Sequence, residues 1–329
     1  MITGQHADLE MTAEEFAMIR DFIHERSGIF FAENKMYLVK NRLQKRMEQL
    51  DIKTVRDYFY HVKYDASQRE FNVLMDLVTT NETSFYRNEP QLLSFSEEAL
   101  PMLLKEKAAA GQKSLRIWSA GCSSGEEPYT LAMMIREKTA MMAGWKVEIF
   151  ASDISEEILQ KARRGEYQGL TLRNVNPALL GKYFTKQGEL YRVSPEIKAL
   201  VKFSQLNLND QRKVSLMNNM DVIFCRNVMI YFSDEVKKHL VRGFFNNLRP
   251  GGYLYIGHSE TLHGVSKAFK LVYFKNALVY QKEAAESGAS RPVAGTTRTS
   301  VGAGASAGGG ASRAMDLLSQ VKQPATAGK

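Results

Sequence analysis

The sequence is short of the residues that would place it in several familiar classes. Its two cysteines, Cys122 and Cys225, lie far apart, so neither a disulfide framework nor a CxxC metal or redox motif is available. No apolar run approaches the roughly 18 residues of a membrane-spanning helix. The opening stretch MITGQHADLE has no basic n-region and no apolar h-region, and Ile2 stands where N-myristoylation requires glycine. These absences predict a cytoplasmic, reduced chain without membrane insertion. The six histidines show neither HxxxH nor HxH spacing, so no metal site is expected. The dinucleotide fingerprint GxGxxG and the phosphate loop GxxxxGK[ST] are both missing. Gly257-His258-Ser259-Glu260-Thr261 approaches a nucleophile elbow, yet Thr261 stands where that motif needs glycine. His258 is therefore read as structural.

What remains is globular. Hydrophobic residues make up 44% and charged residues 24% of 329 positions, enough for about two domains of roughly 150 residues. The net charge of +8 is uneven. Residues 284–329 carry Arg291, Arg298, Arg313, Lys322 and Lys329 against Glu286 and Asp316. That segment is Ala/Gly/Ser-rich and reads as a flexible linker that cannot build a core, with Met315, Leu317, Leu318 and Val321 spaced for an amphipathic turn. The remaining excess is mild for a nucleic-acid binder, and no nucleic-acid partner is expected.

Residues 12–80 read as four short helices. Thr12-Ala-Glu-Glu15 is a capping box, and Ser27-Gly28 ends the helix it opens. A second helix from about Glu33 places Met36, Val39, Leu43, Met47 and Leu50 on one stripe. A third covers about 54–64 and a fourth about 67–79. From Leu115 the period changes. Strands at 116–120, 147–151, 201–204, 220–225, 253–257 and 278–281 alternate with helices at 129–138, 156–164 and 234–248. This predicts an α/β fold with a parallel sheet and an antiparallel edge from the final pair. Residues 183–195 interrupt it with a small hairpin turning at Gly188.

Four stretches could carry chemistry. Trp118–Tyr129 is a glycine-rich turn after the first strand, with Glu126 and Glu127 where a phosphate binder would carry lysine. Either the acids complement the helix dipole, or they favour a ligand with an amine, hydroxyls or positive charge. Asp153, ending the next strand, is an N-cap or a ribose acceptor. A glycine loop plus such an acid suits S-adenosylmethionine, whose sulfonium and ammonium groups tolerate carboxylates. Arg226-Asn227 ends a buried strand and faces either the ligand crevice or an ion pair with Asp221 or Asp153. Asn81–Arg87 is polar and aromatic, a capped helix start or a functional connector.

Taken in order, NETSFYR, WSAGCSSGEEPY, ASDI, LNL at 206–208, FCRNVMIYF and GYLYIGHSE resemble the CheR-type chemotaxis protein methyltransferases. That family transfers methyl from S-adenosylmethionine to glutamate side chains of chemoreceptors. The resemblance covers about residues 12–283. It implies a small all-helical N-terminal domain (12–80), a linker contributing to the active site (81–95), and a tail (284–329) outside the motifs. Between linker and tail it implies a Rossmann-like methyltransferase domain (96–283) with a small inserted antiparallel β-subdomain. Carried over by motif, cofactor contacts fall at Asn81, Thr83, Arg87, Glu127, Asp153, Asn207, Leu208, Arg226 and Asn227. Arg87 and Tyr231 would flank the transferring methyl, and S-adenosylhomocysteine would be the product.

The implied partner is the cytoplasmic helical bundle of a chemoreceptor. The hairpin insert is shorter than in relatives that dock on a receptor's carboxy-terminal pentapeptide, which speaks against pentapeptide tethering. In this family the second helix is associated with receptor recognition. Here it carries Lys35, Lys40, Arg42, Lys45 and Arg46 without an intervening acid. At about 100° per residue Lys35, Arg42 and Arg46 share one side, either a solvated face or a docking stripe for acidic receptor helices. Two other readings compete: a signalling scaffold that binds S-adenosylmethionine without turnover, and a methyltransferase of another substrate such as RNA or a small molecule. Arg87 and Tyr231 speak against the first. Against amino methylation, Arg226-Asn-Val-Met stands where Asn/Asp-Pro-Pro-Tyr/Phe would be expected.

Overall fold

The structure, a computed structural model, describes residues 9–283, so the sequence expectations for 284–329 lie outside the described residues. Helix α1 (Ala13–Ser27) opens as its sequence dictates. The Thr12 hydroxyl accepts the Glu15 N–H at 3.2 Å and the Glu15 carboxylate accepts the Thr12 N–H at 2.9 Å. Gly28 closes the helix in the left-handed region, with φ 78°. After a 3-10 turn at Glu33–Lys35 come α2 (Met36–Gln49), α3 (Val55–Lys63) and α4 (Arg69–Val78). The predicted stripe of α2 is buried through Val39, Leu43 and Met47. These helices do not close a core among themselves: Phe16, Leu43, Tyr58 and Leu74 belong to one apolar cluster with Trp118, Ile223 and Phe244. Each such large side chain contributes roughly 1.5–3 kcal/mol when fully buried.

Residues 89–109 form elements that the sequence reading had not assigned. They are α5 (Glu89–Leu93), a π-helical stretch at Ser94–Ala99, and α6 (Leu100–Ala109). Regular structure thus begins inside the 81–95 linker, with Pro90 in the first turn of α5, where a missing N–H costs nothing.

The rest alternates: β1 (Ser114–Ala120), α7 (Glu126–Glu137), β2 (Lys146–Asp153), α8 (Glu156–Arg164), β3 (Glu166–Tyr167), α9 (Pro177–Tyr183), β4 (Phe184–Gln187), β5 (Leu190–Val193), α10 (Pro195–Lys198), β6 (Val201–Gln205), α11 (Gln211–Val214), β7 (Met220–Cys225), α12 (Asp234–Asn247), β8 (Leu248–Ile256), β9 (Lys270–Tyr273) and β10 (Leu278–Gln281). The main sheet runs β6-β2-β1-β7-β8-β10-β9. Its first five strands are parallel, and β10 pairs antiparallel with both β8 and β9. Successive side chains of β7 go to opposite faces: Ile223 and Cys225 join the cluster of α1–α4, while Val222 and Phe224 join that of α6 and α7.

Three sequence expectations change here. The edge contains a further strand, β9, and β8 starts at Leu248 instead of after Gly252, running irregularly through Arg249-Pro-Gly-Gly. The insert is a three-stranded sheet of order β3-β5-β4, because Glu166–Tyr167 pairs with the expected hairpin. β1 lies between β2 and β7, so the strand order reverses at β1: β2 and β6 extend the sheet on one side, and the chain then crosses over to add β7 and β8 on the other. The crevice outside the carboxyl ends of β1 and β7 is the ligand position such a switch creates.

Candidate active site

The turn from β1 into α7 is shaped for close approach. Gly121, Ser123 and Gly125 all have positive φ, and at Gly125 (φ 93°) a Cβ would meet Ala162, Tyr167 and Phe203 within 3.2 Å. The Asp153 carboxylate at the end of β2 accepts the Ser123 N–H at 2.8 Å and the Ser155 N–H at 3.1 Å. It is buried, and burial raises its pKa while the amides of Ser155, Ser123 and Ile154 pull the other way. The N-cap of α8 is Ser155, not Asp153. With no cationic neighbour among these partners, Asp153 keeps lone pairs for a hydroxyl donor.

Of the two glutamates opening α7, Glu126 turns inward to the hydroxyls of Ser124 and Thr171, and burial raises its pKa. Glu127 accepts the Ser119 hydroxyl at 2.7 Å and pairs with Arg226 at 3.0 Å. Arg226 therefore pairs with neither Asp221 nor Asp153, the two partners its sequence position suggested. Its Nε donates to Gln91 at 2.7 Å and its Nη2 to the carbonyl of Arg87, while Gln91 itself donates to the Ile256 carbonyl at 2.7 Å. This guanidinium joins the ends of β7 and β8, α5, α7 and the 81–88 segment. Gln91 was not legible as part of the site: a single glutamine in an unassigned segment carries no pattern.

These groups surround one cavity of about 650 Å³. Asn81, Thr83, Arg87, Glu127, Asp153, Asn207, Leu208, Arg226, Asn227 and Tyr231 all line it, although they come from most of the chain. Asn207 is oriented by donating to the Arg26 carbonyl at 2.7 Å, which ties α1 to the strand β6 side. The Phe30 N–H donates to the Tyr231 carbonyl at 2.9 Å, so the segment after α1 forms part of the rim. Tyr231 is 37% exposed. Its phenol is raised chiefly by burial, with Glu82 and Glu260 adding to the shift and Arg87 and Arg42 opposing it. It is therefore a hydrogen-bond donor near neutral pH.

Residues 81–278 match the SAM-binding domain of CheR methyltransferases, and residues 14–79 match the all-alpha domain of the same proteins. The chain belongs to the CheR methyltransferase family. Similar proteins include chemotaxis protein methyltransferase 2 of Vibrio cholerae, 36% identical over 84% of this chain and 95% of that protein. Chemotaxis protein methyltransferase 1 of Pseudomonas aeruginosa is 38% identical over 81% of this chain and 97% of its own length. The chemotaxis protein methyltransferase of Escherichia coli is 34% identical over 80% and 90%, respectively. As a CheR methyltransferase the protein uses S-adenosylmethionine to methylate in chemotaxis. The donor set fits that group: a buried acid with free lone pairs and a left-handed glycine turn whose residues 121–127 include no lysine for a polyphosphate. Among the described residues no helix is long and apolar enough to cross a membrane.

The basic side of α2 looks different in three dimensions. Arg42 donates to the carbonyls of Val78 at 2.6 Å and Thr79 at 3.4 Å, and Arg46 grips the buried Glu70 at 2.9 and 2.6 Å. Glu70 also accepts the Tyr58 hydroxyl at 3.0 Å. Both arginines thus hold α2 against α4, because their side is the one on which α4 packs. Only Lys35 of the three is exposed, and it lines the cavity.

Proposed function

We propose that the protein methylates glutamate side chains of chemoreceptors, forming methyl esters, with Asn81, Thr83, Arg87, Glu127, Asp153, Asn207, Leu208, Arg226 and Asn227 holding S-adenosylmethionine. When bound, that group supplies an electrophilic methyl on a positively charged sulfur. A glutamate carboxylate is already ionised at neutral pH, so the protein needs no general base. Its task is alignment and exclusion of water in a closed site. Asp153 accepts hydroxyl donors, and Glu127, already neutralised by Arg226, shapes the wall beside it. Arg87, with one guanidinium nitrogen donating to the Glu82 carbonyl at 2.8 Å, offers its remaining donors to the incoming carboxylate. The Tyr231 hydroxyl donates to the same group and fixes its direction. Lys35 at the rim attracts the acidic surface around the acceptor.

The observation that carries this reading is the pairing of Arg87 and Tyr231 around a cavity whose depth holds carboxylates. A cation and a phenol at the mouth suit an anionic acceptor, and acids inside suit a cationic donor. Incubation with methyl-labelled S-adenosylmethionine and receptor-containing membranes tests it. Base-labile label released as methanol is expected; base-stable label on protein, or label on RNA or a small molecule, would overturn the glutamate assignment.

A further inference from the structure

The segment that resembled a nucleophile elbow is used by a different residue from the one it drew attention to. His258 is exposed. Glu260, two residues on, is half-buried and sends its carboxylate back under the turn that follows β7. One oxygen accepts the N–H of Gly257 at 2.6 Å and of Asn227 at 2.9 Å; the other accepts the N–H of Ile230 at 3.2 Å. Three backbone donors on one ionised group make a strong clamp, because charge-assisted bonds are about twice as strong as neutral ones. Gly257 is needed for it: a Cβ there would stand 2.6 Å from the carboxylate and 2.9 Å from the Asn227 nitrogen.

The clamped turn is strained and central. Asn227 sits at φ 60°, a left-handed conformation that is unfavourable for a side-chain-bearing residue and persists when its surroundings enforce it. Asn227, Val228, Ile230 and Tyr231 all line the cavity, whereas Glu260 does not. Glu260 therefore reaches the site only through the backbone it holds.

We propose that Glu260 is a positioning residue for methyl transfer: its carboxylate locks the 226–231 turn so that Asn227 and Tyr231 present their side chains to the cavity. The two oxygens divide this task. One fixes Asn227 against the end of β8, and the other fixes Ile230, hence the approach to Tyr231. This rests on the roles assigned above to Asn227 and Tyr231.

Glu260→Gln separates the two halves. Its amide keeps one acceptor, able to hold Gly257 and Asn227, and turns the other into a donor facing the Ile230 N–H. In the full-length, ligand-free protein, hydrogen–deuterium exchange across 226–232 should accelerate at least about tenfold. The kcat for receptor should fall about tenfold, while affinity for S-adenosylhomocysteine, titrated by calorimetry, changes less than about threefold. In Glu260→Ala both kcat and affinity should fall; if that variant does not fold, Glu260→Gln decides alone. The proposal fails if exchange across 226–232 or kcat in Glu260→Gln stays within about twofold of wild type. Tyr231→Phe is measured beside it. An impaired Tyr231→Phe with an unimpaired Glu260→Gln refutes only the clamp, whereas an unimpaired Tyr231→Phe refutes the reading of Tyr231 on which the clamp depends.

Discussion

The two ends of the parallel sheet both bury carboxylates, and they use them for opposite purposes. At the amino end of β7, Asp221 is fully buried and accepts Lys107 Nζ at 2.7 Å on each oxygen, Arg249 Nε at 2.6 Å, and the Arg116 N–H at 2.8 Å. Glu106 continues the network by accepting from Arg249 at 2.8 and 3.2 Å. At the carboxyl end, Asp153 has backbone amides for partners and faces the cavity. Cations that saturate a buried acid leave nothing for a ligand. A buried acid without them is costly in the free protein and available to donors that arrive with the ligand.

The sharpest way to break this contrast is to remove Asp221. In Asp221→Ala the Lys107 ammonium stays buried without its partner, and stability should fall by roughly 3–5 kcal/mol in urea unfolding. Affinity for S-adenosylhomocysteine, measured well below the unfolding midpoint, should stay near wild type. A large affinity loss would mean that the two ends are not independent. The opposite pattern is expected for Asp153→Asn, whose amide oxygen keeps one of the two backbone amides while its NH2 faces the other. Affinity should drop by about 1.5–3 kcal/mol, tenfold or more, with a stability loss of about 1 kcal/mol, well below that of Asp221→Ala.

The same physics separates what the sequence made legible from what it did not. α1–α4 were readable because the capping box at Thr12 and the stripe through Val39, Leu43 and Met47 are local patterns. The cavity residues were readable because NETSFYR, WSAGCSSGEEPY, ASDI, LNL and FCRNVMIYF are contiguous motifs, and the fold brings ten of their positions together. The helices at 89–109 escaped because the π-helical stretch Ser94–Ala99 shifts the apolar phase between α5 and α6. Gln91 and Glu260 escaped for another reason. Each acts on partners more than 30 residues away, Ile256 and Arg226 for the first and Asn227 for the second. No local spacing encodes such contacts. Arg42 and Arg46 were legible only in part: a helical wheel shows which residues share a side but not which side α4 covers.

Three smaller effects test the division between holding and binding within the helical segment and at the rim. Arg46→Ala strands the buried Glu70 and should cost about 1–3 kcal/mol of stability without raising the KM for receptor. Lys35→Glu should do the reverse, raising KM at low salt and leaving the urea midpoint near wild type. Arg87→Ala should lower kcat at least about tenfold, equivalent to about 1.4 kcal/mol of barrier, with stability unchanged. Near wild-type receptor methylation by that variant would remove Arg87 from the reaction.

The smallest effect lies in the pH dependence of the ligand-free protein. Burial raises the carboxyls of Asp153, Glu126 and Asp76 above their ordinary values. The folded state then holds these protons more tightly than the unfolded chain, so in the window between the two pKa values it binds more of them. Stability contributed by the protonated acids is full below the ordinary carboxylate range and declines as pH rises through that range to the raised folded values. Urea midpoints for wild type and Asp153→Asn, taken from about pH 4 to about pH 7, should therefore show the wild type losing ground to the variant as pH rises. A difference that widens in favour of wild type with rising pH would mean that Asp153 is stabilised as the anion in the empty protein, and the contrast between the two ends of the sheet would disappear.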